Sequence, residues 1–314
     1  MLSRIADSLF WTNRYMERAD GMLRCTMTNY ILMFDKGVSN NLSWEHILEV
    51  FAEVDDKEEI DVIKFNTEAA LQKLLLDTKN INSLKNVLGS ARENARGIQD
   101  NITKEVWEQV NGMYHSINAL LLVDKLSGYD ALETVNMFCK ESIMYNGVTD
   151  TTMPRGLGWS FMNLGRYIER CFITIEVAEK FFSFIDYKLD EEKDILQWRP
   201  MLLALSGYEL HLKTYRSTKH NENALHQVIF NKDFTRSVLY SLSRISKYLV
   251  DVLQENNTEH KDAIIKRFGR LLSKVEYMDI ETLNRHNLEE FFEELKTSLG
   301  DFSDLIGLSF FSYA

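Results

Sequence analysis

Apolar positions recur along this chain in steps of three and four. Ile5, Leu9, Thr12, Met16, Ala19, Leu23, Thr26, Tyr30 and Met33 stay on one stripe of an α-helix of about 30 residues. Leu157, Phe161, Leu164, Ile168, Cys171, Ile175, Ala178, Phe182 and Ile185 repeat the same steps, each displaced by 152 positions. The spacing predicts two similar long helices, about 2–34 and 154–186, with Pro154 in the first turn of the second, where its missing N–H costs nothing. Ile81, Leu84, Leu88, Ala91, Ala95, Ile98 and Ile102 predict a third long helix. Thr103, Trp107 and Val110 predict an N-capped amphipathic helix after it. Residues 131–145 read as helix. Residues 146–156, NGVTDTTMPRG, collect turn formers and predict a boundary. Beyond Pro200, MLLALSGYELHLKTYR, NALHQVIF, RSVLYSLSRISKYLVDVLQ, AIIKRFGRLLSKV and LEEFFEELKTSL all read as helices. The segments 56–61, 188–194 and 254–262 read as solvated connections or helix ends. No stretch alternates as a strand would. The expected class is all-α, an antiparallel bundle of long helices with shorter ones packed around it. It reads as a single domain over 1–314, with two pseudo-repeated halves at 1–150 and 151–314.

Composition agrees with that reading. Two prolines and 14 glycines in 314 residues leave few breakers for a many-stranded fold. The net charge of −11 argues against nucleic acid or an anionic membrane as partner. Cys25, Cys139 and Cys171 form no CxxC and read as thiols of a reducing compartment. The opening MLSRIADSLF does not look like a signal peptide, and the apolar run Ala119–Val123 is too short to span a bilayer. The expected location is cytoplasmic.

Candidate chemistry sits beside the two seams. RYMER (14–18) and RYIER (166–170) each put a carboxylate, Glu17 or Glu169, one position past a seam residue. Arg14, Arg18, Arg166 and Arg170 lie further round. Trp11, Tyr15 and Met22 make a second apolar patch on the first helix, so its charges need partners. Arg92 and Arg96 follow the seam alanines Ala91 and Ala95, and a guanidinium fork there suits a carboxylate or phosphate. The expectation is that the two long helices bring these groups into one sheltered cleft. Weighed against it are weak surface ion pairs and a buried ion network that only fixes helix register. No metal site is expected: the histidines are scattered, HExxH is absent, and Glu222 with His226 reads as a surface contact. Asp55-Asp56-Lys57-Glu58-Glu59 lacks a second metal-binding motif downstream and reads as a solvated loop. GLGWSF (156–161) is no dinucleotide fingerprint, and GxSxG and Walker sequences are absent, so no cofactor is expected.

Four separated stretches carry a resemblance. MLSRIADSLFWTNRYMERAD, ARENARGIQDNITKEVWEQVN (91–111), GWSFMNLGRYIER (158–170) and FTRSVLYSL (234–242) resemble, in order, the bacterial alpha-E domain family, long classed as a domain of unknown function. Thr235 stands where that family usually has proline. The resemblance implies an all-helical protein whose genes often neighbour those of a circularly permuted ATP-grasp amide ligase and a transglutaminase-like protease. It implies a role in making or modifying peptides. It carries over Arg14, Glu17, Arg18, Arg92, Glu93, Asn94, Arg96, Arg166, Glu169, Arg170 and Arg236 as candidate residues for binding a peptide or a partner. The leading expectation is an accessory protein. The alternative is an enzyme of amide chemistry with Glu17 or Glu169 as general base; neighbouring arginines oppose that role by favouring the charged carboxylate.

Overall fold

A computed structural model describes residues 1–34, 43–52, 57–120, 122–126, 128, 130–190, 194–256, 258–283 and 285–311. Asp55 and Asp56 of the acidic run lie outside them, as do residues 191–193 of the 188–194 connection and Asn257 of the 254–262 connection. Among the described residues every regular element is helical. The chain divides into two compact units, Trp11–Pro154 and Met1–Phe10 with Arg155–Ala314.

Helix α1 (Ser3–Leu32) runs from the second of these units into the first. The Trp11–Pro154 unit continues with α2 (Glu45–Phe51), α3 (Lys57–Ile63), α4 (Thr67–Leu75), α5 (Leu84–Gly97), α6 (Lys104–Ile117), α7 (Leu122–Leu126) and α8 (Ala131–Thr152). Pairings along it are antiparallel. Asn13, Asp20 and Leu23 of α1 meet Tyr145, Ser142 and Cys139 of α8, in reverse order. Ser116 of α6 meets Glu141 while Thr103, at its start, meets Thr152. Arg92 and Gly89 of α5 face Asn111 and Tyr114 of α6. Thr103 caps α6 as expected, accepting the Val106 N–H at 3.4 Å.

Helix α5 is shorter than its apolar spacing predicts. The Asn80 side-chain amide donates to the Phe51 and Lys73 carbonyls at 3.3 and 3.1 Å, which turns the chain before Ser83 caps the helix. Ile81 is consequently exposed, and a short 3₁₀ turn, Gln99–Asn101, follows. Residues 146–152, expected as a turn, continue α8. Thr151 and Thr152 donate their hydroxyls to the Gly147 and Val148 carbonyls, each at 2.8 Å, so these turn-forming side chains are satisfied inside a helix.

In the other unit α9 (Leu157–Ser183) starts after Gly156, leaving Pro154 in the four-residue connection rather than in the first turn. Then come α10 (Ile195–Ala204), α11 (Tyr208–Thr214), α12 (His220–Leu225) running into a π-helical turn (His226–Phe230), α13 (Val238–Glu255), α14 (Lys261–Glu276) and α15 (Arg285–Phe310). The expected helix MLLALSGYELHLKTYR is broken at Ser206, whose φ is 58°. A Cβ on Gly207 would lie 2.5 Å from Gln227 Nε2 and 2.8 Å from Phe234, so only glycine fits. Helix α9 is flanked antiparallel by α13 (Ser160 with Asp251, Thr174 with Arg236) and by α15 (Phe161 with Phe310, Phe182 with Phe292). Both seams are buried through their middles, from Leu9 to Thr26 and from Phe161 to Ile185.

Candidate functional site

In the Trp11–Pro154 unit, α1 carries a second stripe beside its apolar seam: Asn13, Glu17, Asp20 and Arg24, again at steps of four, three and four. Glu17 is 2% exposed and Asp20 1%. Carboxylates so enclosed require compensation, and for Asp20 it is visible. Arg24 Nε donates to Asp20 Oδ2 at 2.8 Å, and Ser142 Oγ lies 2.9 Å from Asp20 Oδ1 and from the Cys139 carbonyl. Tyr145 donates its hydroxyl to Asn13 Oδ1, closing the stripe at the other end. Burial pulls the Arg24 guanidinium down, but Asp20 first and Glu17 after it hold it above its ordinary value. Burial, with Asp20 beside it, pushes the Cys139 thiol up to about 11 against the opposing charge of Arg24. Asp20, Arg24, Asn13, Ser142 and Tyr145 thus join Glu17, although the apolar pattern alone does not single them out. The signal that finds them is polar residues at helical period where a stripe should be apolar.

The arginines around this stripe have defined seats. Arg14 lies over the Trp11 ring, 4.7 Å from its centroid. Arg18 NH1 donates to Asn82 Oδ1 at 2.6 Å, in the turn that Asn80 organises. Arg92 packs over Tyr114 at 4.6 Å and Trp107 at 5.9 Å and donates Nε to Asn111 Oδ1 at 2.8 Å. Its NH1 pairs with Glu93 Oε1 at 2.9 Å, while Glu93 Oε2 takes Arg96 NH2 at 2.5 Å. Arg92 is therefore held on two sides, whereas the Arg96 side chain is 60% exposed. Asn94 donates to the Ser90 carbonyl of its own helix.

In the other unit Glu169 is 2% exposed, Arg170 8% and Arg236 7%. Backbone carbonyls are among the partners here. Arg170 NH1 donates to the Thr235 carbonyl at 3.4 Å and lies 5.1 Å from the Tyr167 centroid; Thr174 Oγ1 donates to the Arg236 carbonyl at 2.8 Å. Burial, with Tyr167 beside it, pushes the Tyr248 hydroxyl up, and Arg244 and Arg166 oppose. The loop that offers these carbonyls is tied at several points. Asn231 Oδ1 accepts the Asp233 and Phe234 N–H groups, Ser237 Oγ donates to the Asn231 carbonyl, and Asn231 Nδ2 donates to the Tyr215 hydroxyl at 2.9 Å. The Tyr215 hydroxyl in turn lies 2.6 Å from His226 Nδ1. His226 is kept neutral by burial, which lowers its pKa. The Thr235 position, proline in the resembling family, supplies a carbonyl to Arg170 and accommodates the turn.

Glu222 pairs with Lys219 and His226 with Tyr215. Among the described residues no three His, Cys, Asp or Glu side chains converge as metal ligands. No described helix is long and apolar enough to cross a membrane.

Glu-Arg dipeptides stand at 17–18 and 169–170; Glu17, Glu169 and Arg170 are buried and Arg18 is half-buried. An uncharacterized protein of Mycobacterium bovis is 18% identical over 330 residues, covering 96% of this chain and 36% of its own length. An uncharacterized protein of Mycobacterium tuberculosis matches to the same extent. The chain thus spans about a third of the length of these curated relatives. No solved structure matches it. Residues 1–311 match the family described as a predicted alpha-helical domain with a conserved ER motif, and the chain belongs to this Alpha-E family.

Proposed function

We propose that the protein is an accessory component of a peptide-synthesising or peptide-modifying system, working with a circularly permuted ATP-grasp amide ligase and a transglutaminase-like protease. Its arginines Arg92, Arg96 and Arg236 receive a peptide carboxylate or an acidic surface of the ligase, and Glu17 and Glu169 orient arginines or take an amine. The observation that carries this reading is the Arg92–Glu93–Arg96 run. Arg92 is pre-oriented by Tyr114, Trp107 and Asn111, and Arg96 stands exposed one turn on. A guanidinium fixed before binding loses little freedom on meeting a carboxylate. An incoming carboxylate can replace Glu93 between the two forks.

The general-base alternative has less behind it. Glu17 acts on Arg24 as a counter-charge, and a guanidinium beside a carboxylate opposes the stronger proton affinity that a general base needs. The test is co-purification of the wild-type protein and Arg92→Ala/Arg96→Ala with the ligase encoded beside it. Loss of the complex in the double variant, with the melting profile kept, is the expected result. Equal recovery of ligase by both proteins would remove the basis of the reading.

A further inference from the structure

The chain is acidic overall, yet nine residues of α14, Lys266 to Lys274, hold four cations: Lys266, Arg267, Arg270 and Lys274. All four line one groove of about 410 Å³ between α14 and α15, with Ala263 and Leu271 as apolar lining and Ser298 and Asp301 on the α15 side. The volume is that of an ordinary ligand pocket. Two of the cations are engaged: Arg267 lies 3.5 Å from Asp301, and Lys274 pairs with Glu294. Lys266 and Arg270, both exposed, have no partner among the described residues. Four like charges within about two helical turns repel one another, at a cost of a few tenths of a kcal/mol for each pair one turn apart. Lys266, at the start of the run, and Arg270, inside it, are left to solvent.

Their geometry selects the shape of the missing anion. Lys266, Arg270 and Lys274 follow one another at intervals of four, which is about 6 Å of rise per step. Alternate residues of an extended peptide are about 6.6 Å apart and project to the same side. A strand with acidic residues at every second position therefore meets the row in register, whereas a compact phosphate meets one or two donors of a row about 12 Å long. Asp301 on the opposite wall and the net charge of −11 restrict the groove to a short anion and oppose a long polyanion such as nucleic acid.

We infer that the α14–α15 groove binds an extended acidic peptide whose carboxylates alternate along the strand. The groove shares no residue with the candidate set above, and the inference stands apart from the proposed function. The probes are fluorescein-labelled Glu-Ala-Glu-Ala-Glu and the blocked isomer Glu-Glu-Glu-Ala-Ala, titrated by anisotropy against the wild-type chain and Lys266→Ala/Arg270→Ala. Both substitutions are of exposed residues, and an unchanged thermal melt verifies the fold. The alternating peptide should bind several-fold tighter than the blocked one, and the double variant should lose about 10-fold or more in affinity, as expected for two charge-assisted contacts. Absence of binding, equal affinity for the two isomers, or unchanged affinity in the variant overturns the inference. Displacement of the peptide by an equal concentration of pyrophosphate also overturns it and assigns the groove to compact phosphorylated ligands.

Discussion

The same phrase, Arg-Tyr-x-Glu-Arg, occurs in α1 and α9 and meets two different environments. In α1 the glutamate is followed by Asp20 and Arg24, and the polar stripe is faced by the Ser142 and Tyr145 hydroxyls and the Cys139 thiol. In α9 the positions equivalent to Asp20 and Arg24 are Phe172 and Glu176. Arg170 and Thr174 donate to carbonyls of the 235–236 backbone. The α1 copy sits beside ionisable side chains of its own helix and hydroxyls of α8, and the α9 copy reaches into the backbone of a loop. A side-chain network is broken by removing one charge. A backbone cradle is broken by loosening the loop or deleting a single donor.

Asp20→Ala should show the largest effect. It takes the paired Asp20 carboxylate from Arg24 and leaves Ser142 only the Cys139 carbonyl as acceptor, a change that costs about 3 kcal/mol. Urea unfolding measures it, and Asp20→Asn should recover part of the loss through the Ser142 contact. Cys139 supplies a second readout. Its thiol, held at about 11 partly by Asp20, should react slowly with thiol reagents at pH 8 and faster in Asp20→Asn. A melt and a Cys139 rate both unchanged by Asp20→Ala would mean that the α1 stripe is no more electrostatic than its α9 counterpart.

Thr174→Val tests the cradle. The isosteric change removes one donor and leaves the Arg236 carbonyl unanswered, for about 1–2 kcal/mol. The loss should be the same at pH 6 and pH 8, since neither partner titrates there.

How much of this was readable beforehand depends on what each feature obeys. The two long helices, their buried seams and the sheltered positions of Glu17 and Glu169 follow from period alone, because a residue one step past a seam position lies at the border of the contact. Polar residues at helical period mark the α1 stripe in the sequence, but Ser142 joins it through the packing of α8 against α1. The break at Ser206 turns on tertiary context, and the continuation of α8 through 146–152 on hydrogen bonds within that helix. Gly207 is required by the proximity of Gln227 and Phe234, and Thr151 and Thr152 are helical because their hydroxyls return to their own helix. The Thr235 and Arg236 carbonyls that Arg170 and Thr174 reach belong to the backbone and leave no mark in the apolar pattern.

Acid should loosen the cradle's support further back along the chain. His211 is fully buried, and its Nδ1 lies 2.8 Å from Gln227 Oε1; Gln227 donates its amide to the Gly207 carbonyl. The imidazole is therefore a neutral donor at Nδ1, and burial lowers its pKa below the ordinary 6.5 against the opposing Gln227 contact. The sign follows: below about pH 6.5 the unfolded chain takes a proton that the folded chain does not, so stability present above that pH is lost as pH falls towards the folded value, by at most about 1.4 kcal/mol per unit. His211→Gln should flatten the fall in melting temperature between pH 6.5 and 5.5. An equally steep fall in that variant would place the acid sensitivity elsewhere.

Arg96→Ala should have the smallest effect on stability, and for that reason it separates structure from function. Its partner Glu93 is itself 54% exposed, and an exposed pair three apart on a helix is worth about 0.3 kcal/mol. Arg92, by contrast, keeps Tyr114, Trp107 and Asn111 whether or not Arg96 is present. The melt of Arg96→Ala should overlay that of the wild type. If recovery of the ligase falls while the melt is unchanged, the exposed fork is a recognition group. A melt lowered by more than about 1 kcal/mol equivalent would mean that the ladder holds α5 in place, and the contrast between a buried structural stripe and an exposed binding fork within this unit would then collapse.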